Sequence, residues 1–352
     1  MRRHFPRVSP ALAQPGRRFA LSMVGVRVRR GRPPGSSGLG RLPPGESFTA
    51  IDLFGDGFSM TDIKNVTVLG AGVLGAQIAY QAAFAGKHVV SYDINDDALK
   101  AAKERFDKLD KTYANGLEEA SEERIKETRE RLSQSSDLAE AVSDADLVIE
   151  AVPEKVELKK DIWSTVGKAA PEKTIFTTNT STLRPSDFSE ATGREDRFLA
   201  MHFANELWHY RTAEIMPTTK TDEEVRKTVV EYAREMEMIP VEIKREHPGY
   251  ILNSLLVPFL EAAQRLWDSD IADPAEVDRD WRESTGSPIG PFQEMDVVGL
   301  RTVSTIGQNN EDEEMARIAK RIEEEYVKKG KTGVEAGEGF LTYDEDGNLK
   351  ER

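Results

Sequence analysis

One histidine and a later carboxylate are the residues in this sequence best suited to acid–base chemistry. His202 lies near the end of an apolar run, FLAMHF, and Glu214 follows twelve residues later. A carboxylate that pairs with an imidazole orients the ring and makes it more basic, as a general base requires. A structural histidine held in a core fits the same segment, so these residues alone leave both interpretations open.

A glycine-rich turn offers a second kind of chemistry. Gly70, Gly72 and Gly75 form a GxGxxG pattern between a β-branched run and a run of helix formers. In a βαβ unit the first glycine permits a tight turn, the second admits a pyrophosphate, and the third lets helix and strand pack closely. Val73 and Leu74 would open the helix, whose N-terminus favours phosphate. The turn therefore predicts a dinucleotide site.

The acidic residue after the second predicted strand indicates which dinucleotide is bound. Asp93 lies 23 positions after Gly70, near the spacing that lets a carboxylate accept hydrogen bonds from the adenosine ribose. Only Ile94 and Asn95 follow it, so no arginine is present to neutralise a 2′-phosphate. The sequence therefore favours NAD over NADP.

The elements that would position these residues follow a βαβ pattern. Strands are predicted at residues 66–69, 88–92, 147–152 and 174–178, with a helix after the glycines and another at 156–166. Ligands collect at the carboxyl ends of parallel strands, so residues 150–155 and 179–182 are further site candidates. The sequence pattern of residues 96–133 predicts a charged, solvated helical hairpin whose helical pattern is interrupted at residues 115–116.

The sequence pattern in the later part of the chain predicts helices. The segment EHPGYILNSLLVPFLEAAQRLW has an apolar stripe with Asn253 in its first turns, and DPAEVDRDWRESTG has Pro274 in its first turn. We predict an α/β fold in which a Rossmann-type, mostly parallel sheet precedes an all-helical C-terminal domain. The expected divisions are an extension over residues 1–59, a nucleotide-binding domain over 60–245 and a helical domain over 246–352.

Composition excludes several classes of function. The 352 residues have a formal net charge of −14 and no cysteine, but residues 1–59 carry a balance of +7 and the remainder −21. An acidic body repels phosphate backbones, so no nucleic-acid partner is expected. No apolar run reaches about 18 residues, so no membrane partner is expected. Without thiolates, and with no further ligands beside His202 and Glu214, no metal site is expected.

The first 45 residues are rich in Arg, Pro, Gly and Ser, and we expect them to be disordered. They could be a transit peptide, a basic binding arm, or an extension upstream of a functional start at Met60. The last is favoured because TDIKNVTVLGAG follows Met60 directly, and Pro and Gly suit a transit helix poorly. The expected location is cytoplasmic, or the mitochondrial matrix if this segment is a transit peptide.

Several segments together resemble the 3-hydroxyacyl-CoA dehydrogenase family over residues 62–343. They are GAGVLG with Asp93, LVIEAVPEKVELK, NTST, HF-x-N with its downstream Glu214, HPGYILNSLLVPFLEAA, GSPIGPF and GVEAGEGFLTYD. The resemblance implies NAD-dependent oxidation of an L-3-hydroxyacyl-CoA to the 3-ketoacyl-CoA, as in fatty acid β-oxidation. A short chain such as 3-hydroxybutyryl-CoA is the expected substrate.

The resemblance also assigns roles to individual residues. It implies that His202 is the catalytic base oriented by Glu214, that Ser181 contacts substrate and cofactor, and that Asn253 lies beside the substrate. It adds Glu154, Lys159 and Asn205 to the NAD contacts expected at Gly70, Gly72, Val73, Leu74, Gly75 and Asp93. A homodimer formed through the helical domain is also implied.

Departures from the family pattern keep other functions open. Where the family has HFFNP, this chain has HFANE, with Ala204 and Glu206 at the changed positions, and only Lys108 and Lys111 lie near the family's CoA contacts. One alternative is a dehydrogenase of a CoA-free 3-hydroxy acid, such as a carnitine- or sugar-acid-like compound, with Arg211 binding its carboxylate. An alternative of another class is a non-catalytic NAD-binding protein.

Overall fold

The computed structural model describes residues 61–344 and 347–350. The expected extension over residues 1–59, with its predicted disorder and the start at Met60, lies outside the described residues. Within the described part, no helix is long and apolar enough to cross a membrane.

Eight strands form one twisted sheet in the order β3-β2-β1-β4-β5-β6-β7-β8. Neighbours from β3 to β6 are parallel, β6 and β7 are antiparallel, and β7 and β8 are parallel. The strands are β1 (Asn65–Leu69), β2 (His88–Tyr92), β3 (Leu132–Ser135), β4 (Leu147–Glu150), β5 (Ile175–Thr178), β6 (Phe198–Phe203), β7 (Thr212–Pro217) and β8 (Ile239–Glu242).

Helices cover the sheet and continue beyond it. They are α1 (Val73–Phe84), α2 (Asp96–Gly116), α3 (Glu122–Glu130), α4 (Leu138–Val142), α5 (Val156–Ala169), α6 (Glu223–Glu235), α7 (Leu252–Asp268), α8 (Pro274–Thr285), α9 (Pro291–Val298), α10 (Leu300–Gln308) and α11 (Glu313–Glu325). The predicted fold class, a mostly parallel Rossmann-type sheet followed by helices, is confirmed.

Both faces of the central strands are buried, which explains their apolar sequences. Every residue of β4, β5 and β6 is buried, as expected for a sheet with helices on both sides. One face packs against α1 and α6, and α2 packs against α1. On the other face Trp163 of α5 lies between Phe176 and Phe198, with ring centroids 5.3 and 5.2 Å away. Truncating such a buried ring costs about 3–5 kcal/mol.

One predicted element is wrong. The helical hairpin expected over residues 96–133 ends at Glu130, and Leu132–Ser135 forms the edge strand β3. The sequence LSQS is short, partly exposed and without an apolar alternation, so its pattern does not distinguish it from the end of a helix. The sequence pattern does not predict β7 or β8 either. Strand β8 contains Pro240, and an edge strand tolerates proline.

The C-terminal helices pack around a core of their own that includes Phe292, Leu300 and Phe340. Asp296 on α9 fixes the end of the chain, because its carboxylate accepts hydrogen bonds from the backbone N–H groups of Phe340 and Leu341 and from the Tyr343 hydroxyl, at 2.8 to 2.9 Å. Burial raises the pKa of Asp296 to about 6 despite these donors. Residues 333–349 add isolated β-bridges to this helical part.

Candidate active site

The glycine-rich turn lies at the carboxyl end of β1 and leaves one open position. A Cβ on Gly70 would lie 2.7 Å from the Ala151 carbonyl oxygen, and one on Gly75 would lie 1.8 Å from the Gly70 carbonyl oxygen. Nothing lies within 4 Å of the corresponding position on Gly72. Gly70 and Gly75 therefore serve the close packing of strand and helix, whereas Gly72 faces free space.

The N-terminus of α1 beside Gly72 is suited to a pyrophosphate. No side chain caps it, and Val73 is 64% exposed. Uncapped N–H groups with the positive end of the helix dipole form an anion site. This end of the helix, with the open face of Gly72, therefore fits the phosphates of a dinucleotide.

Asp93 lies at the end of β2, next to the same turn. Its carboxylate accepts hydrogen bonds from the backbone N–H groups of Ala71 (2.8 Å) and Ile94 (2.7 Å). The Ala71 carbonyl in turn accepts a 3.1 Å hydrogen bond from Nη1 of Arg105 on α2. Sequence reasoning missed Arg105 because it is one of many charged residues on a predicted solvated helix. It brings a cation to the cofactor side of an acidic protein.

Glu154 organises the NTST turn that follows β5. Its Oε1 accepts hydrogen bonds from the Thr180 hydroxyl (2.5 Å) and from the N–H groups of Ser181 (2.8 Å) and Thr182 (2.9 Å). Burial alone would raise the pKa of Glu154, but these donors and Lys159 outweigh it and lower the pKa to about 2. Glu154 is thus ionised and holds Ser181 in place.

Lys159 lies beneath this turn rather than facing the solvent. Its Nζ is 2.6 Å from Oε1 of Glu150 and 3.2 Å from Oε2 of Glu154, and the lysine is 1% exposed. Burial raises the pKa of Glu150, and the Lys159 ammonium opposes this shift. The ammonium expected to contact NAD is therefore directed to protein carboxylates, one of which is Glu154.

His202, Glu214 and Ser181 meet at the end of β6. His202 and Glu214 face each other across the antiparallel pairing of β6 and β7, and both are about 5% exposed. Nδ1 of His202 lies 3.0 Å from Oε2 of Glu214, and Nε2 lies 3.3 Å from the Ser181 hydroxyl. The sequence spacing of twelve residues is thus a hairpin that brings His202 and Glu214 into register.

The second oxygen of Glu214 is held by the start of α7. Oε1 accepts hydrogen bonds from the N–H groups of Ile251 (2.9 Å) and Leu252 (3.0 Å). Burial alone would raise the pKa of Glu214, but His202 and these two N–H groups lower it. A carboxylate at a helix N-terminus gains about 0.5–2 kcal/mol. Glu214 is therefore ionised and positioned to stabilise a positive charge on His202.

The two asparagines expected at the site lie at its edges. Asn253 is half-buried in the first turn of α7, and Asn205 is exposed in the turn after β6. Among the described residues neither side chain has a hydrogen-bond partner.

The loop after Asn205 corrects one expectation. Arg211, expected to bind a substrate carboxylate in the CoA-free alternative, is 3.0 Å from Oε1 of Glu119 and 3.9 Å from Oε2 of Glu237. A guanidinium that is already paired with two carboxylates does not offer an empty anion site. Trp208 of the same loop packs against Tyr113 of α2, with ring centroids 6.0 Å apart.

Replacing Asp93 with Ser should weaken NADH binding about 10- to 100-fold, because hydrogen bonds to a charged acceptor are lost. Binding of NADPH should not weaken, since the carboxylate that repels its 2′-phosphate is removed. Fluorescence titration of the bound nicotinamide measures both. Asp97→Ser, an exposed change in the first turn of α2, is the matched control. An unchanged ratio of the two affinities in Asp93→Ser would refute the role of this carboxylate.

Comparison with protein families accounts for both parts of the chain. Residues 65–246 match the NAD-binding domain of 3-hydroxyacyl-CoA dehydrogenase, and residues 249–343 match its C-terminal domain. The chain is 35% identical over 288 residues to hydroxyacyl-coenzyme A dehydrogenase, mitochondrial, of Rattus norvegicus, which covers 80% of this chain and 91% of the rat protein.

Two further proteins are similar to nearly the same part of the chain. A probable 3-hydroxybutyryl-CoA dehydrogenase of Bacillus subtilis (strain 168) is 32% identical over 292 residues, covering 81% of this chain and 99% of that protein. A structure described as "Substrate-directed dual catalysis of dicarbonyl compounds by diketoreductase" is 52% identical with a TM-score of 0.78, covering 81% of this chain and all of the other. The chain therefore belongs to the 3-hydroxyacyl-CoA dehydrogenase family and is an NAD-dependent oxidoreductase.

Proposed function

We propose that the protein interconverts the 3-hydroxyl and 3-keto groups of a short-chain L-3-hydroxyacyl-CoA, with His202 as the general base. The observation that carries this proposal is the line of Ser181, His202 and Glu214. One imidazole nitrogen lies beside the Ser181 hydroxyl and the other is held by an ionised carboxylate. That arrangement accepts one proton and stabilises the resulting charge.

The proton is handled by the protein. In the oxidation direction Nε2 of His202 takes the proton of the 3-hydroxyl, while Nδ1–H donates to Glu214. The Ser181 hydroxyl, 3.3 Å from Nε2, is placed to orient the same substrate oxygen. In the reverse direction the imidazolium returns the proton. In this proposal Asn253 fixes the acyl group and Asn205 contacts the nicotinamide cofactor.

The cofactor site is assigned to the glycine-rich turn and its neighbours. Gly70, Gly72, Val73, Leu74 and Gly75 would hold the pyrophosphate, and Asp93 the adenosine ribose. Bound NAD would supply the acceptor for the hydride that leaves C3 of the substrate. Glu154 and Lys159 act in this proposal mainly by holding the NTST turn, because Lys159 is buried against carboxylates.

A second candidate is a CoA-free substrate carrying a 3-hydroxy or dicarbonyl group. It is supported by the 52% identity to the diketoreductase structure, which exceeds the identity to the relatives named for acyl-CoA. Lys108 and Lys111, the cations nearest the expected CoA contacts, are both on the exposed face of α2. A CoA-free substrate would not need them.

Reduction of acetoacetyl-CoA and of CoA-free dicarbonyl compounds, followed by NADH absorbance, tests the function and separates the two candidates. We expect turnover of acetoacetyl-CoA that falls about 10²- to 10⁴-fold in His202→Ala, because a proton-transfer group is lost. His209→Ala, an exposed histidine in the loop after β6, should retain activity.

If the protein turned over only CoA-free dicarbonyls, the second candidate substrate would be favoured over the first. Tight NADH binding without turnover of any compound would instead favour the non-catalytic alternative. An equal rate in wild-type protein and His202→Ala would contradict the assignment of the base.

The homodimer expected from the family is part of the proposal. Its support is a set of apolar side chains left exposed on the C-terminal helices: Leu255 (70%), Val257 (44%), Val297 (49%), Val298 (44%) and Ile306 (62%). A contiguous exposed apolar surface commonly marks a protein interface. The cytoplasmic location and the alternative of the mitochondrial matrix remain predictions.

Sedimentation velocity should give a species of twice the 39.3 kDa chain mass. Leu255→Glu should shift it toward the monomer, because a buried charge at an interface is costly. Ile239→Glu alters an isoleucine that is 58% exposed on the edge strand β8 and is the control. A wild-type monomer at all concentrations would contradict the dimer.

A further inference from the structure

Tyr250 contacts the proposed catalytic histidine directly and has no role so far. Its ring stacks on the imidazole of His202, with centroids 4.4 Å apart and planes 20° from parallel. The tyrosine is 1% exposed. It immediately precedes Ile251 and Leu252, whose N–H groups bind Glu214. Three consecutive residues therefore touch both members of the His202–Glu214 pair.

The backbone at this point is bent into an unusual conformation. Gly249 and Tyr250 have φ angles of 84° and 55°, in the left-handed region that a bulky residue rarely adopts. The Gly249 N–H reaches the Ser181 carbonyl at 3.3 Å, and the Tyr250 N–H reaches the His247 carbonyl at 3.0 Å. Such strain is often found at functional sites. Here the turn attaches to Ser181 as well as to His202 and Glu214.

The sheet supports the tyrosine ring from below. Tyr250 belongs to a buried cluster with Ala200, Met216 and Ile243. Ala200 and Met216 are paired across β6 and β7, two residues before His202 and two after Glu214. Side chains two residues apart share one face of a strand. The ring is thus fixed between the sheet and the turn, and the imidazole stacked on it cannot rotate freely.

The chemical character of the ring suits a neighbouring cation. The Tyr250 hydroxyl is buried and has no hydrogen-bond partner among the described residues. Burial raises the pKa of Tyr250, and the nearby carboxylates of Glu154, Glu214, Glu150 and Glu246 raise it further, so the phenol stays neutral. The face of a neutral aromatic ring attracts a cation. An imidazolium at His202 would lie on that face.

We propose that Tyr250 is a positioning residue for the His202 base, its ring fixing the plane of the imidazole and stabilising the imidazolium. The proposal deepens the function proposed above and rests on it. Hydroxyl chemistry at Tyr250 is not required, because the hydroxyl has no partner and the contact is made by the ring face.

Two variants separate the ring from the hydroxyl. Tyr250→Phe keeps the ring and should retain kcat within about 2-fold, with an unchanged pH profile. Tyr250→Leu removes the ring and should lower kcat about 3- to 30-fold, the range expected for loss of a cation–π contact. KM for the nicotinamide cofactor should be unchanged, because the glycine-rich turn is not altered.

The pH profile is the readout that a merely structural role would not change. In the oxidation direction, the acidic limb of kcat should lie about half to one and a half pH units lower in Tyr250→Leu than in Tyr250→Phe. The charged groups near the Tyr250 ring, Glu214 on β7, Glu154 and Glu150 after and within β4, and Glu246 before the turn, are the same in both variants, as is the Lys159 ammonium that pairs with Glu150 and Glu154. The difference therefore reports the ring.

NMR titration of ¹³C-labelled histidine makes the test independent of turnover. If the protein turned over no substrate, the proposed function would fail, but the His202 signal would still show whether the ring stabilises the imidazolium. Tyr250→Met, which keeps apolar volume without a ring, replaces Tyr250→Leu if the latter does not fold. Identical profiles and titrations for Tyr250→Phe and the ring-free variant would overturn the proposal.

Discussion

The rest of this site depends on one carboxylate, Glu214. One of its oxygens holds the imidazole of His202, and the other holds the first backbone N–H groups of α7. The hydrogen bonds hold the carboxylate ionised against the cost of burial. Because α7 begins the helical part of the chain, the same side chain sets the tautomer of His202 and fixes where those helices start.

A second carboxylate, Glu154, has the corresponding role on the Ser181 side of the imidazole. Glu154 holds the NTST turn through three donors, and the buried Lys159 ammonium pairs with both Glu154 and Glu150. Ser181 is therefore fixed by Glu154 just as His202 is fixed by Glu214. In a protein whose body is strongly acidic, these site carboxylates are each balanced by local donors. Arg105 and the open end of α1 supply the remaining positive potential where an anionic cofactor would lie.

Much of this arrangement could be predicted from sequence because it lies in local patterns. The glycine spacing, Asp93, and the strands around β1, β2, β4 and β5 follow from periodicity and turn chemistry. The strand β3 could not be predicted, since LSQS has no apolar alternation. The environment of Lys159 and the pairing of Arg211 with Glu119 depend on contacts between distant segments. Tyr250 lies within the segment HPGYILNSLLVPFLEAA, yet only the fold shows that its ring lies on His202.

The most direct test of this account is the pH dependence of kcat in Glu214→Gln. A glutamine can still accept the two N–H groups of α7, so the fold should persist, as checked by circular dichroism. Its amide would donate to Nδ1 of His202 and enforce the tautomer that cannot accept the substrate proton at Nε2. We expect kcat to fall about 10²-fold or more at every pH while NADH affinity is retained. A kcat and pH profile equal to those of the wild-type protein would contradict the central place of this carboxylate.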